Sequence, residues 1–211
     1  MCAKPTCTIE EARGYMMGRQ ARLDKTTVVQ AAAALVNREG IAALSLQRLA
    51  TALGIQTPSL YNHIDGLPGL QQALAVMNAR ALADCLSDAA IGKAGTAALQ
   101  SMAEAYRSYI KAAPGVYMIT LRSSGTQPTG DPELEREEAR TLRVVLAVLA
   151  SLGIEGADAI HAARALRSVI HGFATLEIAG GFGLPLDCDE SFRRLLNLLV
   201  EGLQKSTNDV P

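Results

Sequence analysis

Between Gln56 and His63, six of eight positions carry hydrogen-bonding side chains: Gln56, Thr57, Ser59, Tyr61, Asn62 and His63. None is acidic. Carboxamides such as those of Gln56 and Asn62 can pair with the edge of an adenine in a major groove, and hydroxyls can serve bases or phosphates. A solvated face on an ordinary helical hairpin has the same composition, so the run decides nothing until its surroundings are read. Other chemistries find less support. No Ser/His/Asp arrangement, glycine-rich phosphate loop or HExxH run is present, and three histidines leave few general bases. His161 and His171 stand ten residues apart, off one helical turn, so a metal pair is not expected. The four cysteines include no Cys-x-x-Cys pair and read as idle thiols in a reducing cytosol. The chain is expected to be no enzyme and to hold no cofactor or metal.

Charge points toward a polyanionic partner. Over the whole chain the net charge is only −1. Between Arg13 and His63, however, Arg13, Arg19, Arg22, Lys25, Arg38 and Arg48 face only Asp24 and Glu39, a surplus of four positive charges. A basic head on an acidic body is the asymmetry expected where one end meets phosphate.

The elements that must position these residues are helical. Hydrophobic residues make up 49% and aromatics 4%, with abundant Ala and Leu, a mix that loses little entropy on coiling. The chain reads as an all-α protein of about nine helices. Residues 1–22 read as a loose basic arm. Asp24 offers an N-cap to a helix from Lys25 to Glu39, stopped by Gly40. Ser45 caps a second, Leu46 to Leu53, closed by Gly54. Thr57 supplies a capping hydroxyl and Pro58 the first position of a third helix, running to about Ile64. Pro68 opens a fourth that reaches about Cys85. Beyond it come Gly95 to Ala112, a short segment from Val116 to Leu121, a helix from about Asp131 to Leu152, then Ala157 to Ala179 and Asp189 to Gln204. No apolar run reaches the roughly 20 residues of a membrane span, and no signal peptide is evident; a cytoplasmic protein is expected.

Leu46, Leu49, Ala50 and Leu53 give the second helix an apolar face, Gly54 permits a tight turn, and Ile55 and Leu60 plug the third helix across the second. This is helix-turn-helix geometry, in which the second helix of the pair enters the major groove by its N-terminal end.

Residues 25–72 resemble the DNA-binding domain of the tetracycline-repressor (TetR) family of bacterial regulators. The resemblance is carried by Val28-Val-Gln-Ala-Ala, Glu39-Gly-Ile, Leu44-Ser-Leu-Gln-Arg-Leu-Ala, Ala52-Leu-Gly-Ile and Pro58-Ser-Leu-Tyr-Asn-His-Ile. It implies a DNA-binding head over residues 23–67 and a ligand-binding, dimerising body over 68–211. Carried over by position, Ser45 resembles a phosphate-contacting hydroxyl, Gln56, Thr57 and Ser59 open the recognition helix, and Tyr61 and His63 meet the DNA backbone, with Lys25 among the contacts. One departure stands out: the family commonly places a phosphate-binding Lys where this chain has Leu67. The arm carrying Arg13, Arg19 and Arg22 is expected to compensate by reaching an adjacent groove.

In the body, Arg167-Ser-Val-Ile-His-Gly-Phe-Ala-Thr-Leu-Glu resembles a TetR subgroup with a His-Gly step in its penultimate helix. Gly172 is expected to let another backbone approach closely. A pocket for a small organic effector is implied by the resemblance, with Tyr106, Tyr109, Tyr117, Met118, Arg122, His171, Phe173 and Phe182 as candidate lining, although most of these side chains suit an ordinary core equally. One short recognition helix reads too few bases, and two about 34–36 Å apart match successive turns of DNA; the last two helices are therefore the expected homodimer face. The function expected is a TetR-type repressor that binds a palindromic double-stranded operator as a dimer and is released by ligand. The alternative is a helix-turn-helix module that acts through protein contacts with recognition of DNA lost.

Overall fold

A computed structural model of the chain describes residues 23–123 and 130–208. Nine α-helices form among them: α1 (Lys25–Glu39), α2 (Leu46–Leu53), α3 (Thr57–Leu60), α4 (Gly66–Ala90), α5 (Gly95–Ala112), α6 (Pro114–Ser123), α7 (Pro132–Ala150), α8 (Gly156–Ile178) and α9 (Cys188–Asn208), with a single 3-10 turn at Ile41–Ala43. The fold is all-α, and no strand occurs among the described residues. The basic arm, with Arg13, Arg19 and Arg22, lies outside the described residues.

Local chemistry explains most boundaries. Asp24 Oδ1 accepts the Thr27 N–H at 2.8 Å and so caps α1. Asp131 Oδ1 accepts the N–H groups of Glu133 at 2.7 Å and Leu134 at 3.2 Å, and Glu133 and Glu135 lie in the first turn of α7. The short segment after Pro114-Gly115 is a full helix, α6. Its N-terminal end is served from another helix, because Asn37 Oδ1 accepts the Val116 N–H at 3.0 Å.

The chain divides into two compact units. One contains residues 23–81, 112–123 and 130–137, and the other residues 82–111 and 138–208. The first unit has a continuous apolar core: Val28, Ala32, Val36, Leu49, Leu60, Leu70 and Leu74 are fully buried or nearly so, and Val116 and Ile119 of α6 belong to the same cluster. α6 seats on α1 at a point where only glycine fits. A Cβ added to Gly115 would lie 2.1 Å from the Val36 carbonyl oxygen. The second unit buries Ala98, Leu99, Met102, Ala103 and Ile110 of α5 together with Leu166, Ile170, Phe192, Leu196 and Val200 of α8 and α9.

Candidate nucleic-acid interface

The turn between α2 and α3 is built by three backbone decisions. Ser45 sits in an extended conformation and its Oγ accepts the Arg48 N–H at 3.2 Å, fixing the start of α2. Its hydroxyl proton stays available to donate outward, as a phosphate contact requires. Gly54 adopts the left-handed conformation (φ 68°, ψ 28°), and the Ile55 N–H returns to the Ala50 carbonyl at 3.0 Å. Gln56 is then extended, and its carbonyl accepts the Ser59 N–H at 3.0 Å. Gln56 is therefore the N-cap, and Thr57, expected to cap, is the first helical residue. The Gln56 carboxamide makes no capping bond and is exposed.

The third helix is shorter than its pattern implied. α3 ends at Leu60, and the chain continues to His63 through i→i−3 bonds, from the N–H of Asn62 to Ser59 and of His63 to Leu60. These tighter turns keep Tyr61 and Asn62 outward while Leu60 and Ile64 are buried. Tyr61 is 60% exposed, with its ring beside Gly66. Lys25, Gln56 and Asn62 are exposed, and Ser45, Thr57, Ser59 and His63 are half-buried.

Two observations revise the charge reading. Arg38 and Arg48 both pair with Glu39, whose carboxyl is held below the usual range by the Arg38 hydrogen bond first and by Arg48 as well. Counting residues therefore overstates the charge the head presents to phosphate. Leu67 is half-buried against the core of the first unit; where the family pattern has a cation, this chain has a packing residue.

Residues 99–199 match the model of the tetracyclin repressor-like C-terminal domain. An uncharacterised HTH-type transcriptional regulator of Mycobacterium tuberculosis is 35% identical over 193 residues, covering 90% of this chain and 86% of that one. Another, YobS of Bacillus subtilis, is 32% identical over 188 residues, covering 89% of this chain and 96% of its own. The chain belongs to the TetR family of transcriptional regulators. Among solved structures, that of a TetR variant from Acinetobacter baumannii in complex with minocycline superposes with a TM-score of 0.66 at 26% identity, covering 88% of this chain and 99% of that one.

In this TetR-family chain the body candidates do not fall in one unit. Tyr117 and Met118 lie on α6 in the unit that contains the head, the first buried and the second exposed. The Arg122 side chain lies outside the described residues. Tyr106, Tyr109, His171 and Phe173 belong to the other unit. There, burial first and then the neighbouring Cys85 and Tyr106 push the Tyr109 phenol far above its ordinary range. Burial, then Arg167, pushes His171 down, so its imidazole is neutral near pH 7.

A charged cluster that the sequence reading did not single out occupies this unit. The Arg107 Nε and Nη2 donate to Glu177 at 2.8 and 2.7 Å, and Nη1 reaches Asp189 at 2.8 Å. The guanidinium stands 5.2 Å from the Phe173 ring centre and 4.9 Å from that of Phe192, a cation–π position on both, while Phe182 tilts against Phe173 at 4.7 Å. Lys111 completes the group on Glu177 at 2.5 Å. The available signal was positional: Arg107 follows Ala103 by four residues and precedes Ile110 by three, on the buried stripe of α5. Among the described residues no group of three or more His, Cys, Asp or Glu could hold a metal ion, and no helix is long and apolar enough to cross a membrane.

Proposed function

We propose that the chain is a homodimeric, ligand-released repressor that reads a palindromic operator in the cytoplasm. The observation that carries this is the outward face of the head: Lys25, Ser45, Gln56, Thr57, Ser59, Tyr61 and His63 line a helix pair, none of them is a carboxylate, and only Ser45 spends a side-chain acceptor on a helix end. Gln56 and Ser59 would read base edges, and Ser45, Tyr61, His63 and Lys25 would hold the backbone. Residues 23–67 would act as the DNA-binding domain and 68–211 as the body, with α6 of that body seated on the head.

Pairing is supported by surface chemistry. Leu176, Ile178, Phe182, Leu184, Leu186 and Leu198 are all exposed and all lie on α8, α9 or the segment joining them, a concentration of apolar surface that monomers rarely leave to water. The expected close approach at Gly172 finds no atom within 4 Å of an added Cβ among the described residues. A second copy would fill that space, and the His171-Gly172 step would mark the subgroup to which the chain belongs. The related Acinetobacter protein holds minocycline, which supports a body that accommodates a small, amphipathic organic effector near Tyr106, Tyr109, His171 and Phe173 in one unit or Tyr117, Met118 and Arg122 in the other. Such a molecule would release DNA only by binding one conformation of the body more tightly than the other.

A second reading, a module acting through protein contacts, is favoured by the half-buried Leu67 and by the two arginines tied to Glu39. Binding of the purified protein to DNA upstream of its own gene, with excess nonspecific competitor, separates the two. The repressor reading expects competitor-resistant binding by two protomers per site. Gln56→Ala should then weaken it about tenfold, since one good base contact is worth roughly 1–3 kcal/mol. Failure to bind there, together with no motif recovered from a random DNA pool, overturns the reading in favour of the second.

A further inference from the structure

We infer that Arg164 and Arg167 of one chain meet Glu201 of the partner subunit, and that these charges select which copy is accepted. The inference rests on the homodimer reading above and supplies the part of the contact that apolar surface cannot, its specificity.

The charges of α8 and α9 fall into three groups. Some are satisfied within the chain: Glu177 by Arg107 and Lys111, Asp189 by Arg107, and Glu190 by Arg193 and Arg194. Others sit where the helix dipole favours them, with Asp158 in the first turn of α8 and Lys205 in the last turn of α9. Arg164, Arg167 and Glu201 fit neither group. All three are exposed, in the middle of α8 or over a turn from the end of α9, and no described residue pairs with them.

Arg164 and Glu201 border the open face, and Arg167 neighbours Arg164 one turn along the same helix. Arg164 shares an i, i+4, i+8 stripe with Ser168 and Gly172, and Gly172 has nothing within 4 Å of an added Cβ. Glu201 adjoins Gly202, which is equally open, and follows Leu198, which is 68% exposed. Apolar and small residues at the centre with unpaired opposite charges at the rim are the composition of a protein interface. In a two-fold contact every pairing occurs twice, so two arginines and one glutamate per chain become two reciprocal sets. An unrelated chain with the same leucines but the opposite rim charges would be rejected, because like charges would then face each other.

The test uses the full chain. Sedimentation equilibrium gives the dimer dissociation constant of the unaltered protein, of Glu201→Arg, of the double variant Arg164→Glu/Arg167→Glu, and of an equimolar mixture of the two altered proteins. Each altered protein alone should self-associate about tenfold or more weakly, because like charges then meet at the rim. The mixture should recover to within about threefold of the unaltered protein. That recovery also shows that both variants fold. Leu198→Glu should weaken association with no recovery from either charge variant. Unchanged association in both charge variants, or a mixture no tighter than its components, overturns the charge pairing while leaving the dimer standing. An unaltered protein that remains monomeric throughout overturns the dimer reading and the pairing with it.

Discussion

The head-bearing unit and the body unit are held by different physics. The first is a continuous apolar core in which Leu49, Leu60, Leu70 and Leu74 are fully buried and α6 is keyed to α1 by the missing side chain of Gly115. The second also has an apolar core, but Arg107 lies over two phenylalanine rings at its margin and is tied there to Glu177 and Asp189, with Lys111 also on Glu177. Contact sterics are short-ranged and indifferent to pH and salt, whereas a half-buried ion cluster responds to both. A DNA-reading surface gains from the first arrangement, since its contacts must keep their positions. A body that exchanges conformations can use the second, since charged contacts can be remade.

The sharpest way to break the contrast is Arg107→Ala. Removing Arg107 leaves Glu177 with only the half-exposed Lys111 as its cation and uncovers the paired Phe173 and Phe192 rings, and should cost about 3 kcal/mol in urea unfolding. Operator affinity per folded molecule should hold; a loss of affinity at full folding would show that the units are not separately maintained. Next comes Gly115→Ala. Its Cβ would meet backbone rather than a yielding side chain, so about 1–3 kcal/mol should be lost, together with operator affinity. Asp24→Ala removes the side-chain cap of α1 and should lower the urea midpoint least of the three.

Acid titration sharpens the comparison further. Glu177 is held below the usual carboxylate range by Arg107 first and Lys111 next. A carboxyl depressed on folding contributes stability that is complete above its unfolded value, about 4.3, and lost as pH falls through the folded value. The urea midpoint of the protein should therefore fall below about pH 4.3, and Glu177→Gln should flatten that fall while lowering stability at pH 7. A slope unaltered by the substitution would place the acid sensitivity elsewhere, with Asp24 and Asp131, also held low by hydrogen bonds, as the next groups to change.

What was legible beforehand was what is local. Asp24, Ser45, Gly40 and Gly54 announce helix ends because capping and left-handed turns depend on a few neighbouring residues, and each acts as its type implied. A short helix opening at Thr57 and Pro58 was legible, but its tight finish after Leu60 was not, because periodicity does not distinguish i→i−3 from i→i−4 bonding. Counted charge misled because Glu39 takes up Arg48 from nine residues away.

The sequence alone determined the all-helical class, the helix-turn-helix head and its polar face, since propensity, capping and apolar spacing all act within a few residues. Only the tertiary structure decided that α6 packs with the head rather than with the rest of the body, that Asn37 serves the N-terminal end of that helix, and that Arg107 joins an ion cluster with Glu177 and Asp189. Those outcomes join positions about 70 to 80 residues apart, and at such separations a side chain's partner is chosen by the packing of whole helices.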